Sequence, residues 1–273
     1  MSRKRRLILV VAMGIGSLWS AAFFGNSIAI FFESDGTSTS IGTPSNGSLI
    51  DGKRLPTSGS NFRAYSRIAA TLGRNTVHSS VRDVVLEAYA NLDADGVGHT
   101  FVYGEASRPG GGPLPPHRTH QNGLSVDFMV PVLNDEGAPV VFPASWTNKF
   151  GYNLEFDAKG CTNHLTIDFA AISDHLLALE KAAAVRGMSI KLVVFAPEYR
   201  EHLMDKTGRR LDERMPFLKG SAWVRHDEHY HVDFGLPPAD GVGRLTKAMK
   251  LLDPCYAACC ASVAPGPAAY GTR

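Results

Sequence analysis

Apolar positions recur along the chain with two periods, and each period predicts a kind of element. Val81, Val84, Val85, Ala88, Tyr89 and Leu92 keep a helical spacing behind Ser80-x-x-Asp83, which has the form of a capping box. A longer helical pattern runs from about His164 to Arg186, with Leu165, Phe169, Ile172, Leu176, Leu177 and Leu179, and Gly187 supplies its stop. Elsewhere the period is two. Leu124, Val126, Phe128 and Val130 alternate with Ser125, Asp127 and Met129, and the stretch from His229 to Phe234 puts His229, His231 and Asp233 on one face and Tyr230, Val232 and Phe234 on the other. Thr100 to Tyr103 and Ile190 to Phe195 read as further strands, and Glu198 to Met204 as a short helix. A loop carrying Pro109, Gly110, Gly111, Gly112, Pro113, Pro115 and Pro116 admits no helix. Strands and helices in irregular order, with no internal repeat, predict an α+β fold: one domain with a small, mostly antiparallel central sheet flanked by helices and long loops.

The two ends of the chain obey neither period. Arg3, Lys4, Arg5 and Arg6 precede an apolar run from Leu7 to Phe24 that closes on Ser20-Ala21-Ala22. Residues 1–25 are therefore expected to be a signal peptide cleaved after Ala22, or an uncleaved N-terminal membrane anchor, with the rest of the chain exported. Residues 26–60 read as a polar linker or arm, because Glu33 to Ser60 is rich in Ser, Thr, Gly, Asn and Asp. The catalytic domain is expected over 61–254 and a Cys-containing tail over 255–273. Four cysteines in an exported chain favour disulfides. Cys259 and Cys260 are adjacent, with Cα atoms about 3.8 Å apart, too close to bond each other. That leaves Cys161 joined to Cys259 or Cys260, with Cys255 taking the other. Composition changes little: 273 residues with 28 Lys and Arg against 26 Asp and Glu, 44% hydrophobic and 20% charged, exclude a disordered chain and a polyanion-seeking nucleic-acid binder.

The candidate chemistry lies in the histidines. Five of the ten fall in two short windows, His117 with His120 and His226 with His229 and His231. His120 stands in a loop just ahead of the strand that carries Asp127, and Gly123 lets that loop fold back onto it. His229-x-His231 on a strand projects both rings to one side. Two imidazoles and a carboxylate are ligands suited to Zn²⁺, one ion per chain, with a position left open for a metal-activated water. Without H-E-x-x-H, G-x-S-x-G, a P-loop or G-x-G-x-x-G, the helical zinc site, the nucleophile elbow and the nucleotide folds have no support.

The stretch His117-Arg118-Thr119-His120-Gln121-Asn122-Gly123-Leu124-Ser125-Val126-Asp127, followed by Trp223-Val224-Arg225-His226-Asp227-Glu228-His229-Tyr230-His231, resembles the penicillin-insensitive murein endopeptidases. These belong to the wider group of lysostaphin-type and D-Ala-D-Ala zinc peptidases. The resemblance implies metal ligation by His120, Asp127 and His231, with His229 near the water and His117 and His226 around them. It also implies peptidoglycan as substrate and a periplasmic setting, with membrane contact only through an uncleaved N-terminus. The family commonly carries an acidic residue where Ser125 stands. Glu228-x-x-His231 matches the base of the D-Ala-D-Ala peptidases and His229-x-His231 the lysostaphin arrangement; on a regular strand His229, not Glu228, shares the face of His231. His117 and His226 are candidates to steady an oxyanion or to orient other groups. Arg118 and Arg225 are candidates for substrate carboxylates or solvated cations, Trp223 for the core or a groove wall, and Gly110 to Gly112 for the lining of an open groove. The expected function is a zinc D,D-endopeptidase cutting peptidoglycan cross-links. Its rivals are a D-Ala-D-Ala carboxypeptidase or dipeptidase on the same fold and a non-catalytic, zinc-stabilised wall-binding module.

Overall fold

In the computed structural model, residues 20, 23–162, 164–220 and 222–237 are described. The chain divides at Gly235, and of the unit that begins at Leu236 only residues 236–237 are described. The apolar run from Leu7, the cysteines at 255, 259 and 260, and the disulfides expected of them lie mostly or wholly outside the described residues. Cys161 is half-buried. Among the described residues no helix is long and apolar enough to cross a membrane.

The core is a five-stranded sheet of β1 (Phe62–Ala64), β2 (Phe101–Tyr103), β3 (Ser125–Met129), β4 (Ser189–Val194) and β5 (His229–Gly235), in the order β4-β5-β3-β2-β1. Only β1 and β2 pair in parallel, across a connection that contains α1 (Ser79–Ala94); the other three pairs are antiparallel. The fold is α+β, as the mixed periods require. On β3 and β5 the faces divide as alternation predicts: Phe128 and Tyr230 are paired across the strands, and so are Asp127 and His231. The apolar face is covered by α1 and by α2 (Phe169–Val185). His175 of α2 stacks on Tyr89 and Phe101 and meets Phe128 edge-on, with its Nδ1 bonded to the Tyr230 hydroxyl. These rings pack into one another in the core that joins helices and sheet.

Three sequence expectations need correction. The pattern from His164 begins as strand: Leu165–Ile167 pairs with Val132–Leu133, and the helix starts only after Asp168, whose carboxylate caps Ala171 N–H at 3.0 Å. Apolar spacing cannot separate a strand from a helix that follows it directly; the acidic cap marks the true start. The capping box at Ser80 does not form. His78 is the N-cap, its Nδ1 accepting from Ser80 N–H at 3.1 Å. Finally, the aperiodic segment after Glu33 contains a hairpin, Thr39–Thr43 with Asn46–Ile50, whose polar residues on both faces hide its period.

Candidate functional site

The polar face of β3 and β5 carries the site, and the register decides which atoms meet. His231 sits directly across from Asp127, with Nδ1 2.9 Å from Oδ1, and its Nε2 lies 2.9 Å from Asp233 Oδ1. His120 Nε2 approaches the same Asp127 oxygen at 3.2 Å. It comes from a loop in which His120 itself adopts φ 66° and Gly123 φ 75°. Left-handed backbone at a histidine is strained and persists only where neighbours enforce it. Here Gln121 N–H donates to Pro44 O, Ser40 Oγ to Asn122 O, and His78 N–H to Gly123 O. The 39–50 hairpin thus acts as a splint for the histidine loop.

The second oxygen of Asp127 looks into the cleft. It accepts from the Tyr152 hydroxyl at 3.1 Å and lies 3.8 Å from His117 Nδ1 and 3.9 Å from His229 Nε2. His117, His120 and Asp127 offer ligand atoms all within 4.8 Å of one another and could hold a metal ion. The tight group therefore includes His117, which the sequence had put around the ligands; His231 lies outside it, between the carboxylates of Asp127 and Asp233. His229 Nδ1 is 3.0 Å from Glu228 Oε1, which leaves Nε2 toward Asp127. His226 gives its Nδ1–H to Val224 O at 2.9 Å and packs 4.6 Å from the His229 ring.

Burial sets the electrostatics. Asp127 is fully enclosed, which on its own favours the neutral acid, but the charges of His120 and His229 and the hydrogen bonds of His120 and His231 hold its carboxyl well below the usual range. Burial pushes His117 down to about 4, and burial together with His229 does the same for His226. Both rings are neutral near pH 7.

Sequence reasoning missed a supporting group. Tyr152 accepts from Glu105 N–H at 2.9 Å while it donates to Asp127; Glu105 in turn is bonded to Tyr65 and to Arg74, whose Nε is 2.8 Å from each carboxylate oxygen. Nothing local in the sequence marks these residues. Asp233 was visible on the histidine face but was given no role.

These side chains lie along a cleft of about 810 Å³ walled by Ile68 and Leu72 on one flank and by Trp223 and Val224 on another. Gly110 to Gly112 are not among the lining residues. Gly111 pairs with Ser48 of the hairpin, so the glycine loop is tied to the arm instead. Trp223 is a half-exposed wall, with Arg118 stacked 4.8 Å above it. Arg225 is not a free cation: it holds Glu198, Asp227 and the Phe156 carbonyl.

An α+β sheet that presents a buried histidine–carboxylate centre at the base of a peptide-sized cleft defines the class as hydrolase-like. Residues 40–265 match the family model of the penicillin-insensitive murein endopeptidases, and the chain belongs to that family. Among curated proteins none matches it. Membership makes the protein a cell-wall peptidase, with peptidoglycan as the substrate its family implies.

Proposed function

We propose that the protein is an exported, zinc-dependent D,D-endopeptidase that hydrolyses amide bonds of peptidoglycan cross-links, with His120, Asp127 and His231 as the metal ligands. The observation that carries this reading is the convergence of His120 Nε2 and His231 Nδ1 on Asp127 Oδ1, at 3.2 and 2.9 Å. Zinc bonds of about 2.0–2.1 Å at tetrahedral angles hold ligand atoms roughly 3.3 Å apart, and both contacts to Asp127 Oδ1 are of that size. Both ring nitrogens of His231 face carboxylate oxygens, which without a metal keeps the ring protonated against the cost of burial; a cation at Nδ1 would take the place of the proton shared with Asp127. His117 is the rival third ligand, favoured by its place in the compact group; the carboxylate behind His231, a usual partner of metal-bound imidazoles, favours the set adopted.

When bound, zinc supplies a water acidified to near neutrality and a polarised scissile carbonyl. The protein's own residues supply the proton traffic. Glu228 takes the Nδ1–H of His229, which leaves Nε2 to accept a proton from the attacking water and return it to the leaving amine. Tyr152 fixes the Asp127 carboxylate. His117 faces the developing oxyanion, whereas His226, its Nδ1 proton held by Val224 O, orients neighbours. A cleft of about 810 Å³ suits a branched cross-link better than a dipeptide. Export rests on the basic and apolar N-terminus, with residues 1–25 as its signal or anchor, 26–60 as an arm, 61–254 as the catalytic domain and 255–273 as the tail.

Metal analysis tests the reading. One zinc per chain is expected in the wild type and in His117→Ala, with loss in His120→Ala and His231→Ala. Full occupancy in both of the latter would overturn the ligand set.

A further inference from the structure

We infer that Asp233, braced by Ser125, is a positioning residue that sets the metal affinity of this centre by fixing the ring of His231; the inference rests on the ligand set proposed above. Register places Asp233 directly opposite Ser125, two pairs along from His231 and Asp127 and on the same face. Ser125 is fully buried and Asp233 nearly so. The Asp233 carboxylate accepts the Nε2–H of His231 at 2.9 Å and the Ser125 hydroxyl on the same oxygen. Among the described residues its only ion pair is with His231.

Three consequences follow from this geometry. The Nε2–H···Asp233 bond keeps one proton on Nε2, so that it is the Nδ1 proton a metal would displace, on the side where Asp127 Oδ1 and His120 lie. The buried negative charge makes the Nδ1 lone pair freed in this way a stronger donor. The serine hydroxyl, itself with no route to solvent, keeps the carboxylate from rotating away. Burial of a carboxylate is costly unless it is paired, and here the pairing is spent on one ring. Because residues 125 and 233 face each other across the strands, with Cβ atoms about 5 Å apart in such pairs, a carboxylate on either one can reach the same nitrogen.

The test is zinc affinity of the full chain, measured by competition with a chromophoric chelator, beside the thermal midpoint of the metal-free protein. Asp233→Asn is expected to weaken binding about tenfold or more, the scale seen when the partner of a ligating histidine is removed. Ser125→Ala should weaken it less, and the double variant S125D/D233S should recover most of the loss, which a merely structural role for Asp233 would not allow. Wild-type affinity in Asp233→Asn, or no recovery in the double variant, overturns the inference. If Asp233→Asn does not fold, Ser125→Ala decides, and unchanged affinity there overturns it. Unchanged affinity in His231→Ala instead condemns the ligand set, whatever residue 233 does.

Discussion

Asp127 gathers four histidines around one carboxylate, and the two oxygens divide the work. Oδ1 faces His120 and His231, whereas Oδ2 faces His117, His229 and the Tyr152 hydroxyl. Strand alternation made the first half legible: His-x-His on β5 and Asp127 on β3 needed only a register to meet. Tyr152, Glu105 and Arg74 were not legible, because a long-range contact between loops leaves no periodic trace. The division predicts separable variants. His229→Ala should keep zinc yet lose at least about 10²-fold in turnover, the scale of general-base removal. Glu228→Gln, which retains an acceptor for Nδ1–H, should lose much less. Metal content and turnover measured on the same preparations check both, and a reversed order would make Glu228 the base.

Elements position these residues through contacts that local pattern only partly records. The hairpin at 39–50 lacks period, yet it pins the loop that carries His120 in a left-handed conformation. Gly123 is the hinge of that loop: a Cβ there would come within 2.7 Å of Leu49 Cδ2 and 2.9 Å of His78 N, at a φ that disfavours side chains. Gly123→Ala is expected to cost about 1–3 kcal/mol and to lower zinc occupancy, read by thermal melts and metal analysis. On the opposite face, burial pushes His175 down to about 3. Its folded pKa is below the unfolded value of about 6.5, so the unfolded chain binds the proton first. Stability is undiminished above pH 6.5 and falls as pH drops toward 3, by up to about 1.4 kcal/mol per unit from this group. Melting temperatures from pH 7 to 4 should therefore fall less steeply in His175→Gln than in the wild type.

At the scale of the molecule, one sheet separates a dry side of helices and stacked rings from a polar side that opens on the cleft. That partition follows from alternation on β3 and β5, which is why fold class and the histidine centre could be read from the sequence together. Of the cleft walls, Trp223 was among the sequence candidates; the helix at Arg67–Thr71 and the loop of Tyr152 were not, since tertiary contact alone brings them in. The proposed chemistry needs no acyl-enzyme serine, and β-lactams, which acylate such a serine, have no target in it. Incubation of the purified protein with cross-linked sacculi, with penicillin present and with or without a zinc chelator, tests the central claim most directly. Muropeptide dimers should become monomers in penicillin, and chelation should stop the conversion while the domain stays folded. Dimers that persist while stem peptides lose only a terminal D-Ala, or conversion untouched by chelation, would contradict it.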